Sequence, residues 1–143
     1  MKTVGELLKN KGREIWSISP LATVFQALEL MAQKEVGALL VVANDKLIGI
    51  FSERDYARKV ILKGRASKDT AVNELMTQTV FYVSPENTLE DCMTLMTSKQ
   101  IRHLPVLENG RLAGIVTLGD VVKRIMSDQE FRIHELEKYV IGE

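Results

Sequence analysis

The sequence predicts an α+β protein of two β-α-β-β-α repeats that pack about a pseudo-twofold axis through their sheets. Three observations lead to this fold class. Shifted by 65 positions, Ser19–Ile61 aligns with Ser84–Met126 without a gap, and thirteen of the forty-three pairs are identical. In each copy an apolar stripe at helical spacing precedes two β-rich runs. One copy alone is too small to bury two helices and a sheet, so we expect a shared core.

The strands are predicted from short apolar and β-branched runs bounded by turn residues. They lie near Trp16–Ile18, at Ala38–Ala43 and at Leu47–Phe51 in the first repeat, and near Val80–Val83, at His103–Leu107 and at Leu112–Val116 in the second. Asn44-Asp45 and Asn109-Gly110 separate the last two strands of each repeat. Such pairs are typical of tight hairpins, and Asn-Gly is the strongest of these signals.

The helices begin at recognisable N-caps. Thr23 with Gln26, and Thr88 with Glu90 and Asp91, resemble N-caps whose side chains return to the first helical turn. A second helix is expected after Asp55 and again after Asp120. The predicted organisation is residues 1–64 as the first repeat with an N-terminal helix at Val4–Asn10, residues 65–127 as the second repeat, and residues 128–143 as a helical tail.

Composition excludes several classes of function. Nineteen basic and nineteen acidic residues cancel, so no overall field would attract nucleic acid or an anionic membrane surface. The longest apolar run, Ala38–Ala43, is far shorter than the roughly 20 residues of a membrane span. Cys92 is the only cysteine, and no metal-ligand cluster is apparent. We expect a cytoplasmic protein that binds neither nucleic acid, membrane nor metal.

The most specific signal is a motif written twice, as Gly49-Ile-Phe-Ser-Glu-Arg-Asp55 and Gly114-Ile-Val-Thr-Leu-Gly-Asp120. On one interpretation, Ser or Thr followed by Asp three positions later is simply a capping box. On the other, the carboxylate accepts both hydroxyls of a ribose while the helix N-terminus favours a phosphate. One residue can do both, so the two interpretations overlap.

With these paired motifs, the Ser-Pro-x-x-Thr starts and the Ile101-Arg-His-Leu-Pro-Val106 stretch, the chain resembles a tandem pair of cystathionine-β-synthase (CBS) domains, a Bateman module of the stand-alone type. The resemblance covers roughly residues 1–127. It implies binding of an adenosine compound (AMP, ADP, ATP, NAD(H) or S-adenosylmethionine), regulation of a partner protein and assembly into a homodimer.

The resemblance also implies site residues. Ser52 and Asp55 belong to one cleft and Thr117 and Asp120 to the other. Arg102 and His103 are expected to contact phosphate, since an unpaired charge at the start of a strand is costly to bury. The first repeat has only Gly37 and Ala38 at those positions, and Arg54 of the first repeat aligns with Gly119 of the second. The two clefts should therefore differ in affinity or in ligand. The remaining candidates are Arg54, which would reach the Asp120 cleft, Ile15, lining the Asp120 cleft, and Met76 and Thr77, lining the Asp55 cleft.

The leading hypothesis is a regulatory nucleotide sensor with no catalytic residue. A structural dimerisation module whose aspartates only cap helices is a second hypothesis, and a nucleotide-processing enzyme is a third. Ribose and adenine contacts are common to all the candidate compounds, so the sequence does not determine which one fills which cleft.

Overall fold

The computed structural model describes residues 2–127, and the predicted α+β class is confirmed. The helices are α1 (Val4–Lys11), α2 (Val24–Lys34), α3 (Glu53–Asp55), α4 (Val72–Leu75) and α5 (Leu89–Lys99), and the strands are β1 (Ser17–Ile18), β2 (Ala38–Ala43), β3 (Lys46–Ser52), β4 (His103–Glu108) and β5 (Arg111–Thr117). A π-helical turn (Tyr56–Ile61) continues α3, a 3-10 turn covers Ser67–Asp69, and residues 118–127 are helical. The predicted tail at residues 128–143 lies outside the described residues.

The chain divides into two compact units whose boundaries differ from those of the repeats. One unit is residues 14–81, and the other joins residues 2–13 to the described residues from Tyr82 onward. Helix α1 was predicted to accompany the first repeat, but it packs in the unit that contains the second repeat, where the Val4 amide donates to the Asn87 carbonyl at 2.9 Å. Helix α4 falls in the range predicted for the second repeat, but it packs in the unit of residues 14–81, where the Val72 amide donates to the Ala22 carbonyl at 2.8 Å.

The unit of residues 14–81 contains a three-stranded sheet in the order β1-β2-β3. Strand β1 runs parallel to β2, and β2 runs antiparallel to β3. The predicted hairpin is confirmed, because Asn44 and Asp45 both take the left-handed backbone conformation that a two-residue turn of this hand requires. Helix α2 buries Val24, Ala27 and Met31 against this sheet.

The unit containing the second repeat has a two-stranded sheet, β4-β5, joined by the predicted turn at Asn109-Gly110. The strand predicted near Val80–Val83 is wrong, because only Val83 forms a bridge, with Val106. In the first repeat the Leu40 amide donates to the Trp16 carbonyl at 3.2 Å. The corresponding position on β4 is Pro105, which has no amide proton, so this ladder bond cannot form.

The predicted helix starts are confirmed. Thr23 with Gln26 and Thr88 with Asp91 form complete capping boxes at α2 and α5. The second helix of the first repeat is α-helical only over α3 and then widens into the π-helical turn. Cys92 is buried on α5, and this burial, with the charge of Asp91, raises the pKa of its thiol to about 11.

Candidate functional site

Asp55 closes a capping box at the start of α3. The backbone amide of Ser52 donates to Asp55 Oδ2 at 2.9 Å, and the Ser52 hydroxyl donates to the same oxygen at 3.1 Å. In return, the Asp55 amide donates to Ser52 Oγ at 3.2 Å. The local interpretation of the motif is therefore confirmed for the first repeat: its aspartate caps a helix.

The second carboxylate oxygen of Asp55 is also engaged. Thr77 Oγ1 donates to Asp55 Oδ1 at 3.0 Å, and Lys59 Nζ lies 3.0 Å from the same atom. Asp55 is only 5% exposed, so these partners close it off from solvent. A ribose could bond this carboxylate only by displacing at least one protein group.

Asp120 forms the corresponding cap in the second repeat but is more accessible. The Thr117 amide donates to Asp120 Oδ2 at 3.0 Å, and the Asp120 amide donates to Thr117 Oγ1 at 3.1 Å. Lys11 Nζ also donates to Oδ2 and bonds the Ile115 carbonyl at 2.8 Å. The side chain is 29% exposed, and within residues 2–127 no described hydrogen bond reaches Oδ1. Oδ2 of Asp120 thus makes the contacts within the protein, while Oδ1 can accept a hydrogen bond from a ligand.

The electrostatics of this site keep Asp120 ionised. Partial burial by itself would raise the pKa of the carboxyl. Hydrogen bonds from Lys11 and Thr117 and the charge of Lys11 outweigh that burial, so the pKa of Asp120 lies below its ordinary value. Near neutral pH the carboxylate is an acceptor, as hydrogen bonding to ribose hydroxyls requires.

Arg102 and His103 lie at the start of β4 in the same unit as Asp120. His103 pairs with Thr117 in the β4-β5 register, and the Leu118 amide donates to the Arg102 carbonyl at 2.9 Å. Burial, and then the charges of Lys11 and Arg102, lower the pKa of His103, although Asp120 opposes them. His103 is therefore neutral near pH 7, while Arg102 is exposed and charged.

The positions of the first repeat that align with Arg102 and His103 lie beside acidic rather than basic side chains. Ala38 pairs with Ser52, and the Glu53 amide donates to the Gly37 carbonyl at 3.0 Å. A shallow pocket of about 430 Å³ opens beside Gly37, and the carboxylate-bearing residues Glu35 and Glu53 are among those that line it. The predicted difference between the repeats is thus visible as cationic residues in one and acidic residues in the other.

The motif glycines have a packing role that the sequence did not reveal. A Cβ atom on Gly49 would lie 2.5 Å from Met76 Sδ, and one on Gly114 would lie 2.9 Å from Leu8 Cδ2. Each glycine therefore makes room for a side chain at or beside a packed helix. Met76, predicted to line a nucleotide cleft, is in this way placed against the backbone of β3.

The structure brings together some predicted residues and separates others. Thr77 contacts Asp55, as the predicted membership of one cleft requires. Ile15 is half-buried just before β1, and Arg54 is exposed on α3. Both belong to the unit of residues 14–81, whereas Asp120 belongs to the other unit. Their reach to the Asp120 cleft stays a prediction.

Three basic residues near the aspartates are not among the candidate site residues named above, although the resemblance places the segment Lys11–Trp16 at the Asp120 cleft and Lys59 belongs to a basic cluster of the sequence. Lys59 lies four positions after Asp55, a spacing at which opposite charges meet on a helix. Arg124 lies four positions after Asp120, and its buried Nε has no hydrogen-bond partner within residues 2–127. Lys11 reaches Asp120 across 109 positions, and no local pattern could have indicated that contact.

Comparison with known proteins identifies the family. The CBS domain model matches twice, over residues 4–62 and 72–127. These two matches span the paired motifs and both capped aspartates. The chain belongs to the CBS-domain family and carries a tandem pair of the domains.

Similar proteins come from plants and bacteria. The chain is 37% identical to the mitochondrial CBS domain-containing protein CBSX3 of Arabidopsis thaliana, over 98% of this chain and 72% of that protein. It is also 37% identical to the CBS domain-containing protein YhcV of Bacillus subtilis, over 81% and 82% of the two chains. A solved structure from Burkholderia ambifaria, a CBS-domain protein assigned to signal transduction, matches with a TM-score of 0.87 and 48% identity over 90% and 96% of the chains.

The described residues lack two features that would indicate other classes of function. None of the helices within residues 2–127 combines the length and the apolar character needed to cross a membrane. Over the same residues, no group of three or more histidine, cysteine, aspartate or glutamate side chains is arranged to hold a metal ion.

Proposed function

We propose that this protein is a regulatory module that senses a phosphate-bearing adenosine nucleotide, and that the nucleotide binds at Asp120. Membership of the CBS family, with the Burkholderia ambifaria protein assigned to signal transduction among the similar structures, supports the regulatory role. The observation that carries the choice of site is the difference between the two aspartates. Asp55 has protein partners on both oxygens, whereas Asp120 keeps Oδ1 available among the described contacts.

Ribose recognition would fall to Asp120. Its Oδ2 is fixed by the Thr117 amide, which orients the carboxylate before any ligand arrives. Its Oδ1 can then accept a ribose hydroxyl without loss of the cap. A preoriented acceptor of this kind loses little conformational entropy on binding, which favours affinity.

Phosphate recognition would fall to the basic residues of the same unit. Arg102 offers bidentate, charge-assisted hydrogen bonds, and Lys11 adds a second positive charge beside Asp120. Neutral His103 can donate one further hydrogen bond without the cost of burying a charge. This charge distribution favours AMP, ADP, ATP or NAD(H) over the cationic S-adenosylmethionine.

The sensing step would involve Lys11. A ribose hydroxyl on Oδ1 leaves the Lys11 contact with Oδ2 in place, but a phosphate nearby would attract the Lys11 ammonium away from Asp120, and Lys11 is the last residue of α1. Binding would therefore favour a position of Lys11, and of the end of α1, that differs from the ligand-free one. A ligand shifts such an equilibrium only by its difference in affinity for the two states. A partner protein that contacts this region would respond to the nucleotide.

One alternative has direct support. Both aspartates form complete capping contacts, as expected of a structural module whose motifs only cap helices. This alternative predicts that no nucleotide stabilises the protein. Nothing in the described residues favours the third hypothesis, a nucleotide-processing enzyme.

The test is a thermal-shift titration with AMP, ADP, ATP, NAD, NADH and S-adenosylmethionine on the wild type, Asp120→Ala and Asp55→Ala. A ligand that binds only the folded state raises Tm as its concentration exceeds its Kd. We expect a phosphate-bearing compound to raise Tm in the wild type and in Asp55→Ala, and not in Asp120→Ala.

Asp91→Ala is the matched control, because Asp91 closes a capping box at α5 outside the two motifs. It should lower the starting Tm but keep the ligand-induced rise. The proposal fails if none of the six compounds shifts the wild type at millimolar concentration. It also fails if Asp120→Ala responds as strongly as Asp91→Ala does.

A further inference from the structure

The chain at the end of the π-helical turn carries apolar residues in solvent. Ile61 is 55% exposed and Leu62 is 77% exposed, and each residue from Ile61 to Ala66 is exposed. A Cβ atom on Gly64 would meet no other atom within 4 Å, so open space surrounds the chain at this point. These two neighbouring aliphatic side chains therefore contribute little to the core.

The fold does not require an apolar pair here. At the shift of 65 positions that aligns the repeats, Ile61 corresponds to Met126 and Leu62 to Ser127, which is exposed as well. The second repeat is also helical up to this position, with a hydroxyl residue in place of Leu62. Two adjacent exposed aliphatic residues that packing does not need are suited to contact with something outside the chain.

Basic residues surround the exposed pair. From Tyr56 to Lys68 the sequence contains five basic residues and no acidic residue. They are Arg58, Lys59, Lys63, Arg65 and Lys68, and we call residues 58–68 the basic segment. The balanced charge of the whole chain therefore conceals a local excess of positive charge.

Two of these five charges are offset within the fold. Lys59 Nζ lies 3.0 Å from Asp55 Oδ1, and Arg65 pairs with Glu74 at 2.7 Å. The remaining basic residues of the segment are Arg58, Lys63 and Lys68. All three are exposed, so their charges can interact with a partner.

The remaining charges lie close to exposed apolar side chains. The Leu62 amide donates to the Ala57 carbonyl at 3.3 Å, a bond between residues five apart, as in a π-helix. At this spacing Lys63 follows Arg58 along the axis, with Leu62 as the direct neighbour of Lys63. At the other end of the segment, Lys68 Nζ lies 5.0 Å from the centroid of the partly exposed Phe25 ring.

The kind of partner follows from this combination of shape and charge. An acidic peptide would need a groove or a free sheet edge to hold its backbone, and Leu62 stands in open solvent instead. A nucleic acid would use the cations but would gain little from aliphatic side chains. An anionic bilayer uses both, because its headgroups attract lysine and arginine while its acyl chains accept exposed aliphatic groups.

We propose that the basic segment binds the surface of an anionic lipid bilayer. Ile61 and Leu62 enter the boundary between headgroups and acyl chains, and Arg58, Lys63 and Lys68 contact lipid phosphate and carboxylate groups. The protein stays at the surface, so no spanning helix is needed.

The expectation of no membrane binding rested on the net charge of the whole chain and on the lack of a long apolar run. Binding at a bilayer surface depends on neither. Screening limits the reach of an exposed charge to about 8 Å at physiological ionic strength. The local charge of the basic segment, and not the balanced total, therefore decides the attraction to an anionic surface.

Cosedimentation of the purified protein with vesicles, without nucleotide, tests the proposal. Vesicles of phosphatidylcholine with about 30% phosphatidylserine should bind the wild type at low salt, whereas pure phosphatidylcholine vesicles should not. Raising the salt from about 0.05 M to about 0.5 M should release the protein. Lys63→Gln should weaken binding roughly fivefold. Leu62→Ser, which introduces the residue of the second repeat, should weaken it roughly tenfold.

Two control variants are matched to these changes. Lys34→Gln removes one exposed charge from the same unit, but at the last residue of α2. The first residue of that helix, Val24, is the one that bonds Thr70 beside the basic segment. Met126→Ser removes a 42% exposed apolar side chain at the position that aligns with Ile61. Both controls should bind like the wild type.

Several results would refute the proposal. One is a wild type that does not bind the anionic vesicles at low salt. Another is binding that Lys34→Gln weakens as much as Lys63→Gln does, or that Leu62→Ser leaves unchanged, because attraction to any polyanion would then suffice. A protein that binds polyglutamate but not the vesicles would assign the basic segment to an acidic polypeptide instead. The four substitutions are at exposed positions and should leave Tm close to that of the wild type, and none of these outcomes depends on nucleotide binding.

Discussion

Replacing Asp55 by alanine should destabilise the protein more than the same change at Asp120, although the two aspartates occupy equivalent positions. The Asp55 carboxylate is nearly buried and accepts from Ser52, Thr77 and Lys59. Asp120 is more exposed, and its described bonds from the protein all reach one oxygen.

The magnitude follows from the contacts that are lost. Removal of either cap costs about 1 kcal/mol. At Asp55 the part-buried Thr77 hydroxyl also loses its acceptor, which adds about 1 to 2 kcal/mol. Lys59 is 40% exposed and can turn toward water, so it adds little. The sum is about 2 to 3 kcal/mol for Asp55→Ala, against about 1 kcal/mol for Asp120→Ala.

Urea denaturation of the wild type and both variants, followed by circular dichroism, measures this difference. Asp55→Asn is a useful companion, because the amide oxygen can still accept from Ser52 or Thr77 while the ion pair with Lys59 is lost. It should retain most of the stability. Equal losses in Asp55→Ala and Asp120→Ala would refute the claim that Thr77 and burial distinguish the two sites.

Two further predictions concern the second unit. Gly114→Ala should lower the free energy of unfolding by about 1 to 3 kcal/mol, because the new methyl group would meet buried Leu8. In the Leu8→Ala background the loss caused by Gly114→Ala should largely disappear. An undiminished loss would exclude the clash with Leu8 as its cause. Burial lowers the pKa of His103 below its reference value of 6.5, so the unfolded chain takes up a proton first as the pH falls. Stability that is present above about pH 6.5 should therefore decline as the pH falls toward the folded-state pKa, and less so in His103→Gln. Urea titrations of both proteins across this pH range measure the difference, and parallel declines would contradict the prediction.

Much of the fold was predictable because its signals are local. Thr23 and Thr88 cap their helices within three residues, and the Asn-containing turns fix their hairpins through their own backbone conformations. The strand predicted at Val80–Val83 is wrong because its neighbour in the sheet, β4, has a proline at position 105 and therefore lacks an amide proton that the ladder needs. A strand depends on hydrogen bonds from both strands of a pair, and the residues of one segment do not reveal what its distant partner can donate.

The candidate site also has features that the sequence predicted and features that only the folded chain shows. The paired motifs located both aspartates and their capping hydroxyls, the repeat alignment showed the asymmetry between Arg102-His103 and Gly37-Ala38, and the resemblance placed Thr77 at the Asp55 cleft. None of them indicated that Thr77 and Lys59 share one oxygen of Asp55, or that Lys11 leaves an oxygen of Asp120 available. These contacts depend on which side chains the packed helices and their neighbouring segments bring to each carboxylate.

The sequence by itself thus determined the order of most elements and the two capped aspartates, because these depend on residues close together along the chain, and it showed the duplication and the family because the same local patterns occur twice. Only the tertiary structure decided that α1 packs in the unit of the second repeat and α4 in that of the first. It also decided that equivalent aspartates have unequal access. Both depend on contacts between distant segments, whose free energy is set by packing after the local elements have formed.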